Sequence, residues 1–174
     1  MALKRRAIVF SFVAGMMVGC ATVGTKMESR GIEKTNKGEV AMAAMSVSRT
    51  LSVSIGRHPG KVYEFVSDPE NLPKWAKGLG ESVKKQGTDW IVDTPRGQMK
   101  FKFVEKNIFG VLDHYVTTSS GMEIYVPLRV LANGTGSEII FTLFRLPDMT
   151  DEKYAEDMKL VEQDLQTLKD LLEK

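Results

Sequence analysis

The sequence predicts an α+β domain in which an antiparallel sheet of about seven strands holds one long C-terminal helix. Three observations predict it. Tyr154, Met158, Val161, Leu165, Leu168 and Leu172 recur at alternating steps of four and three, which places them on one face of a helix. Between Ser82 and Arg145, apolar and polar residues alternate between turn signals, the period of half-buried strands. Ahead of both, Arg49 to Ile55 alternates in the same way and is followed by a short helical pattern that begins at a proline. The 174 residues suffice for one domain of ordinary size plus an N-terminal extension.

In the first strand Leu51, Val53 and Ile55 share one side, and Thr50, Ser52 and Ser54 the other. Gly56-Arg57-His58-Pro59 breaks it, and Pro59 suits the first turn of a helix whose apolar face is Val62, Phe65 and Val66. Ser67-Asp68-Pro69 stops that helix, and Glu70 to Lys77 forms a second short helix or turn containing Trp75. Turn signals then divide about six strands: Gln86-Gly87-Thr88, Pro95-Arg96-Gly97, Phe109-Gly110, Ser120-Gly121 and Asn133-Gly134-Thr135-Gly136. Pro147 closes this run. Asp148 or Thr150 can cap the long helix, and Asp151 and Glu152 place negative charge at the positive end of its dipole. Lys153, Glu156, Asp157, Lys159, Glu162, Gln163, Asp164, Gln166, Thr167, Lys169 and Asp170 are expected on a solvated back. The same spacing is also the heptad of a coiled coil, an alternative weakened by the strands that precede it.

The N-terminus reads as a separate piece. Lys4, Arg5 and Arg6 are followed by the apolar run Ala7 to Val18, too short to span a bilayer comfortably, and then by Gly19 and the only cysteine, Cys20. Met17-Val18-Gly19-Cys20 resembles a bacterial lipobox, with Met17 where leucine is usual. The resemblance implies residues 1–20 as a lipoprotein signal peptide, Cys20 as the acylated anchor, and a lipid-anchored envelope protein. Ala21 after the cysteine fits the outer membrane better than the inner. Residues 21–45 have no sustained period and read as a flexible tether to a domain spanning 46–174. In the alternative reading, translation starts at Met42 or Met45 and the protein is cytoplasmic, because Lys37-Gly38-Glu39 can be encoded by a ribosome-binding sequence.

A near balance of 24 basic and 22 acidic side chains, with no basic patch interleaved with aromatics, argues against a nucleic-acid partner. One cysteine excludes an intramolecular disulfide, and His58 and His114 are the only histidines, so no metal site is expected. Nucleophile-elbow, Walker, Rossmann and metal motifs are absent from the sequence, and no cofactor is expected.

The element order, together with Val62-Tyr63-Glu64-Phe65-Val66-Ser67-Asp68-Pro69-Glu70-Asn71-Leu72-Pro73-Lys74-Trp75, resembles the SRPBCC superfamily of START/Bet v 1-like and polyketide cyclase/dehydrase-type domains. Gly110-Val111-Leu112-Asp113-His114 and the ending Leu165 to Glu173 are similar to bacterial members. The resemblance covers Ser46 to Lys174. It implies a helix-grip fold: a curved antiparallel sheet wrapped around the C-terminal helix, two short helices after the first strand, and a cavity between sheet and helix. Members include carriers, receptors, cyclases and chaperone activators, so activity is not implied.

Strand alternation names the side chains that would face such a cavity. Lys100 and Lys102 outward turn Met99, Phe101 and Phe103 inward. Asp93 outward turns in Trp90 and Val92, and Asp113 outward turns in Leu112, His114 and Val116. Glu123 and Arg129 outward leave Met122, Ile124 and Val126, while Glu138 outward leaves Ile139, Phe141 and Leu143. With Trp75 at the mouth and Tyr154, Met158 and Val161 from the helix, the lining is largely apolar, as a small hydrophobic ligand of lipid or polyketide-like kind requires. The same residues would also fill a core, which leaves an interaction module with a filled cavity as an alternative. Met122, Met149 and Met158, among ten methionines, fit either case. His114 alone of the inward groups titrates near neutrality and is the candidate general acid/base of a cyclase/dehydrase-like enzyme, the other alternative. Arg129, Arg145 and Glu138 are expected as a cross-strand charge cluster on the outer face, unless one arginine holds a ligand carboxylate.

Overall fold

The structure, a computed structural model, describes residues 45–77, 79–80, 82–94 and 97–174. The expected signal peptide with Cys20, the tether up to residue 44 and the alternative start Met42 lie outside the described residues.

The elements follow one another as β1 (Ser48–Ile55), α1 (Pro59–Val66), a 3-10 turn (Pro69–Asn71), the one-turn α2 (Leu72–Trp75), β2 (Ser82–Gln86), β3 (Asp89–Thr94), β4 (Gly97–Phe103), β5 (His114–Thr117), β6 (Glu123–Val126), β7 (Leu128–Asn133), β8 (Gly136–Phe144) and α3 (Asp151–Leu172). All strand pairs are antiparallel. The fold is α+β and helix-grip, with eight strands rather than about seven. The extra strand arises at Pro127, which cannot donate to the ladder and divides one expected strand into β6 and β7.

That division bends the sheet. The strand orders are β2-β3-β4-β5-β6 and β1-β8-β7, and backbone bonds join the two halves around the bend. Leu112 donates to the Leu128 carbonyl at 2.8 Å, Val130 to Gly110 at 2.9 Å and Thr142 to Pro127 at 3.0 Å. Register carries one apolar face across the whole surface: Val92 faces Met99, Phe101 faces Val116, His114 faces Val126, Leu128 faces Phe141 and Val53 faces Ile139. The apolar members of this face, with Val62 and Val66 of α1 and Leu165 and Leu168 of α3, make the core, Val53 and Phe141 packing against it half-buried, and His114 is a buried polar residue among them.

The 22-residue α3 is about 33 Å long and fastened at both ends. Thr150 supplies the cap, its hydroxyl accepting the Lys153 N–H at 3.2 Å. The Tyr154 hydroxyl donates to the Leu143 carbonyl of β8 at 2.9 Å. At the far end Glu173 accepts the Gly56 N–H at 2.6 Å, the Arg57 side chain donates to the Leu172 carbonyl at 2.5 Å, and Lys169 donates to the Ser54 carbonyl at 2.7 Å. The helix therefore lies along β1 as part of this domain, which replaces the coiled-coil alternative.

Three charge assignments change. Asp113 is buried on the outer face, where Oδ1 accepts the Leu128 N–H at 2.9 Å and pairs with Arg129, and Oδ2 accepts the Tyr125 hydroxyl at 2.5 Å. Asp157 is also buried, paired with Lys153 at 2.8 Å, so the supposed solvated back of α3 is partly wall. Arg129, Arg145 and Glu138 form no cluster: Arg129 holds Asp113, Arg145 bonds Asp151 and the Met149 carbonyl, and Glu138 accepts from Ser54 and Asn133.

Candidate functional site: a narrow cavity between sheet and helix

Between the bent sheet, α2 and the middle of α3 lies a cavity of about 90 Å³. The sheet supplies Phe101 and Phe103 from β4, His114 and Val116 from β5, and Ile124 and Val126 from β6. Leu72, Trp75, Ala76 and Leu79 form the opposite side, and Phe141, Leu143, Val161 and Leu165 close it. The inward set is a consequence of the pleat: at every second residue of β4 a lysine, Lys100 or Lys102, faces water and fixes its neighbours' direction.

Of the residues predicted for a ligand site, Trp75, Phe101, Phe103, His114, Ile124 and Phe141 line this cavity. The others lie elsewhere. Met99 is in the packed core, while Trp90 and Met122 are half-buried against it. Tyr154 is committed to the Leu143 carbonyl, and Met158 is half-buried on α3. Two lining residues, Asp157 and Asp164, are ones that the sequence reading places in solvent. A signal for them exists in the spacing: Asp157 stands three residues after Tyr154 and four before Val161, and Asp164 three after Val161, the same steps that define the apolar stripe.

His114 is the most constrained polar group in the wall. Its ring stacks on Phe101 with centroids 4.5 Å apart and meets Phe103 edge-on at 5.4 Å. Nδ1 lies 3.1 Å from the Leu112 carbonyl. A carbonyl only accepts, so Nδ1 carries the proton and Nε2 is left as an acceptor. Burial lowers the imidazole pKa to about 4, partly opposed by the bond to Leu112, and the ring is neutral at pH 7. The Trp75 indole N–H, in the same wall, is buried without a hydrogen-bond partner, a cost of about 1–3 kcal/mol for such a group.

No family model and no curated protein matches the sequence. Solved structures do match the fold. The Aha1 dimer structure from Colwellia psychrerythraea is similar over 73% of this chain and 96% of its own, at 19% identity and a TM-score of 0.59. Ara h 8.0201 is similar over 74% of this chain and 98% of its own, at 13% identity and a TM-score of 0.54. DynU16, a protein of the dynemicin biosynthetic locus, is similar over 73% of this chain and 47% of its own, at 16% identity and a TM-score of 0.54. At such identities the likeness concerns the fold alone: the chain shares the helix-grip architecture of these structures.

Proposed function

We propose that this chain is a non-catalytic SRPBCC-type module that binds one small hydrophobic molecule, lipid or polyketide-like, between the sheet and α3. The observation that carries the reading is the apolar wall of Phe101, Phe103, Ile124, Leu72 and Val161 around an unfilled space. Size qualifies it. About 90 Å³ is below the roughly 300–1,000 Å³ of ligand pockets and below the ~150 Å³ that admits benzene. Binding therefore requires the wall to give, and the one-turn α2, with Trp75 and the neighbouring Leu79, is the short element on that side. Catalysis by His114 has little support. With a pKa of about 4 the ring is neutral at pH 7, so Nε2 holds no proton to donate and is a weak base there. We further propose that acylated Cys20 holds the module at a membrane of the cell envelope; a cytoplasmic product starting at Met42 or Met45 is the alternative.

Native mass spectrometry of protein purified from its own host tests both proposals. The expected result is a retained small molecule and a chain beginning at an acylated Cys20. Uptake of an apolar fluorescent dye tests the cavity separately, and Phe101→Ala is expected to change its affinity. No retained molecule and no dye uptake would overturn the binding reading, and a soluble chain beginning at Met42 or Met45 would overturn the anchor.

One observation favours a second reading, an interaction module with a filled cavity. Ile108 and Phe109 are 94% and 75% exposed on a loop held by Asn107, whose side chain accepts from Phe109 and Val111 and donates to the Glu105 and Val111 carbonyls. Two large apolar side chains on a braced loop offer a contact surface independent of the cavity. Loss of dye uptake in no wall variant, with changed self-association in Ile108→Ser/Phe109→Ser, would favour it.

A further inference from the structure

Strand β1 is an outer strand of the bent sheet, and its two halves have different surroundings. The register with β8 fixes which of its backbone groups point outward. Arg145 donates to the Val47 carbonyl at 2.8 Å, and these two residues continue the β1–β8 register. In an antiparallel ladder mutually bonded pairs alternate with unbonded ones, so Arg49, Leu51, Val53 and Ile55 spend their N–H and C=O on β8. Ser48, Thr50, Ser52 and Ser54 turn theirs away from the sheet; Thr142, opposite Thr50, accordingly gives its N–H to Pro127. At the far end α3 satisfies the outward groups: Lys169 donates to the Ser54 carbonyl at 2.7 Å, and Glu173 accepts the Gly56 N–H at 2.6 Å. At Ser48, Thr50 and Ser52 no described residue does so, and all three are exposed.

Outer strands are ordinarily guarded against pairing with another chain. β2, at the other end of the strand order, has five residues and carries Lys84 and Lys85. β1 has eight residues in unbroken register, without proline, lysine or bulge, and its one charge is Arg49. Its open groups are also self-complementary. A half-turn about an axis through Thr50, perpendicular to the sheet, sets Thr50 against Thr50 and Ser48 against Ser52 of a second copy. Each of those pairs is a mutually bonded one, N–H to C=O in both directions. On the inner face the same register brings the exposed Val47 opposite the half-buried Val53 of the second copy. A strand of unrelated sequence would gain the backbone bonds alone, whereas a second β1 gains the apolar contact as well.

We propose that the open half of β1 is a self-association site, pairing antiparallel with β1 of a second copy in the register that sets Thr50 against Thr50. The sheet of one molecule then continues into that of the other, by the same surface on both. An interface built on one strand pair is small beside those of permanent dimers, so the association is reversible and grows with concentration.

Sedimentation of the full chain over a range of concentrations tests this, with Cys20→Ser in every sample so that no acyl chain holds copies together. A monomer–dimer equilibrium is expected. Thr50→Pro leaves the β1–β8 ladder its bonds, because the Thr50 N–H points away from β8, and puts a ring where the second strand has to lie. It should weaken the dimer by about tenfold or more, the worth of the bonds between the two Thr50 residues. If that variant fails to fold, charge reads the same register. Ser48→Lys/Ser52→Lys sets like charges opposite one another and should abolish the dimer, while Ser48→Glu/Ser52→Lys sets opposite charges there and should restore it. A monomer at every concentration, or equal association of the two charge variants, overturns the proposal. So does a dimer that Thr50→Pro leaves intact and Ile108→Ser/Phe109→Ser dissolves, which would assign association to the loop. Slow hydrogen exchange of the Thr50 amide in a monomer overturns it as well, since another part of the chain would then hold this edge.

Discussion

The ring of His114 lies against that of Phe101, centroids 4.5 Å apart and planes 27° from parallel. Burial at this place removes the water that would stabilise an imidazolium, so the neutral ring is favoured and folding expels a proton. The native pKa of about 4 lies below the ordinary histidine value of 6.5, so the unfolded chain binds more protons between those values. Stability from this group is complete above about pH 6.5, falls as pH drops toward 4, and is constant below. Between pH 7.5 and 5 the loss should be about 2 kcal/mol. Urea denaturation at the two pH values measures it, and His114→Phe should remove most of the difference. An equal pH dependence in that variant would place the titration elsewhere.

Asp113, one residue away, faces the opposite side of the sheet and joins β5, β6 and β7 where Pro127 bends them. Asp113→Asn removes the charge that holds Arg129 and sets an amide against neighbours that are all donors. The expected cost is about 2–3 kcal/mol, below that of a fully buried pair because Arg129 is about one-third exposed. Tyr125→Phe should cost about 1 kcal/mol. In the double variant the losses should be less than additive, since both remove one hydrogen bond. Full additivity in denaturation midpoints would mean that the two groups do not interact.

The strands and α3 are legible in the sequence because their periods are long and regular: Leu51, Val53 and Ile55, or Tyr154 through Leu172, repeat often enough to fix a face. Direction along β4, β5, β6 and β8 is legible for the same reason. Charge is the weaker guide. Reading Asp113 and Asp157 as solvent-facing equates charge with exposure, which holds only where no cation is within reach. The partner of Asp113 is supplied by β7, which only the fold brings near. Lys153 stands four residues before Asp157 on one helix, so that pair is present in the sequence and is outweighed there by composition. Pro127 likewise marks the division of β6 from β7 by its residue type alone. The cavity's small volume is not legible, because alternation tells which way a side chain points and not how closely it meets those opposite.

Gly110 gives a test of the joint between the two halves of the sheet. Its φ of 72° is in the left-handed region, and a Cβ there would overlap the Val130 carbonyl oxygen. That oxygen belongs to backbone paired across the bend and has little room to retreat. Gly110→Ala should therefore cost well beyond the ~1 kcal/mol of a strained backbone alone. Gly134, at φ 57° with open space around it, isolates that smaller contribution. Equal losses at both positions, read from thermal or urea unfolding, would mean that the joint yields freely.

Three substitutions on α3 distinguish a helix with one buried stripe from the wider wall described here. Leu165 is 2% exposed at the centre of the stripe, and Leu165→Asp would bury an unpaired charge, costing several kcal/mol and probing the limit of the fold's stability. Gln166 is exposed beside it, and Gln166→Asp should change stability by no more than about 0.5 kcal/mol. Asp157 decides the matter. On a solvated back, Asp157→Ala would be as mild as Gln166→Asp. In the structure Asp157 is 2% exposed and the side chain of its partner Lys153 is only 11% exposed, so the substitution strands a largely buried ammonium whose other partner is Glu156 at 3.4 Å. A loss of about 2–3 kcal/mol is expected, and the second change, Lys153→Met in the Asp157→Ala background, should restore much of it by removing the stranded charge. An Asp157→Ala variant as stable as the parent would return this residue to the solvent side and remove it from the cavity wall.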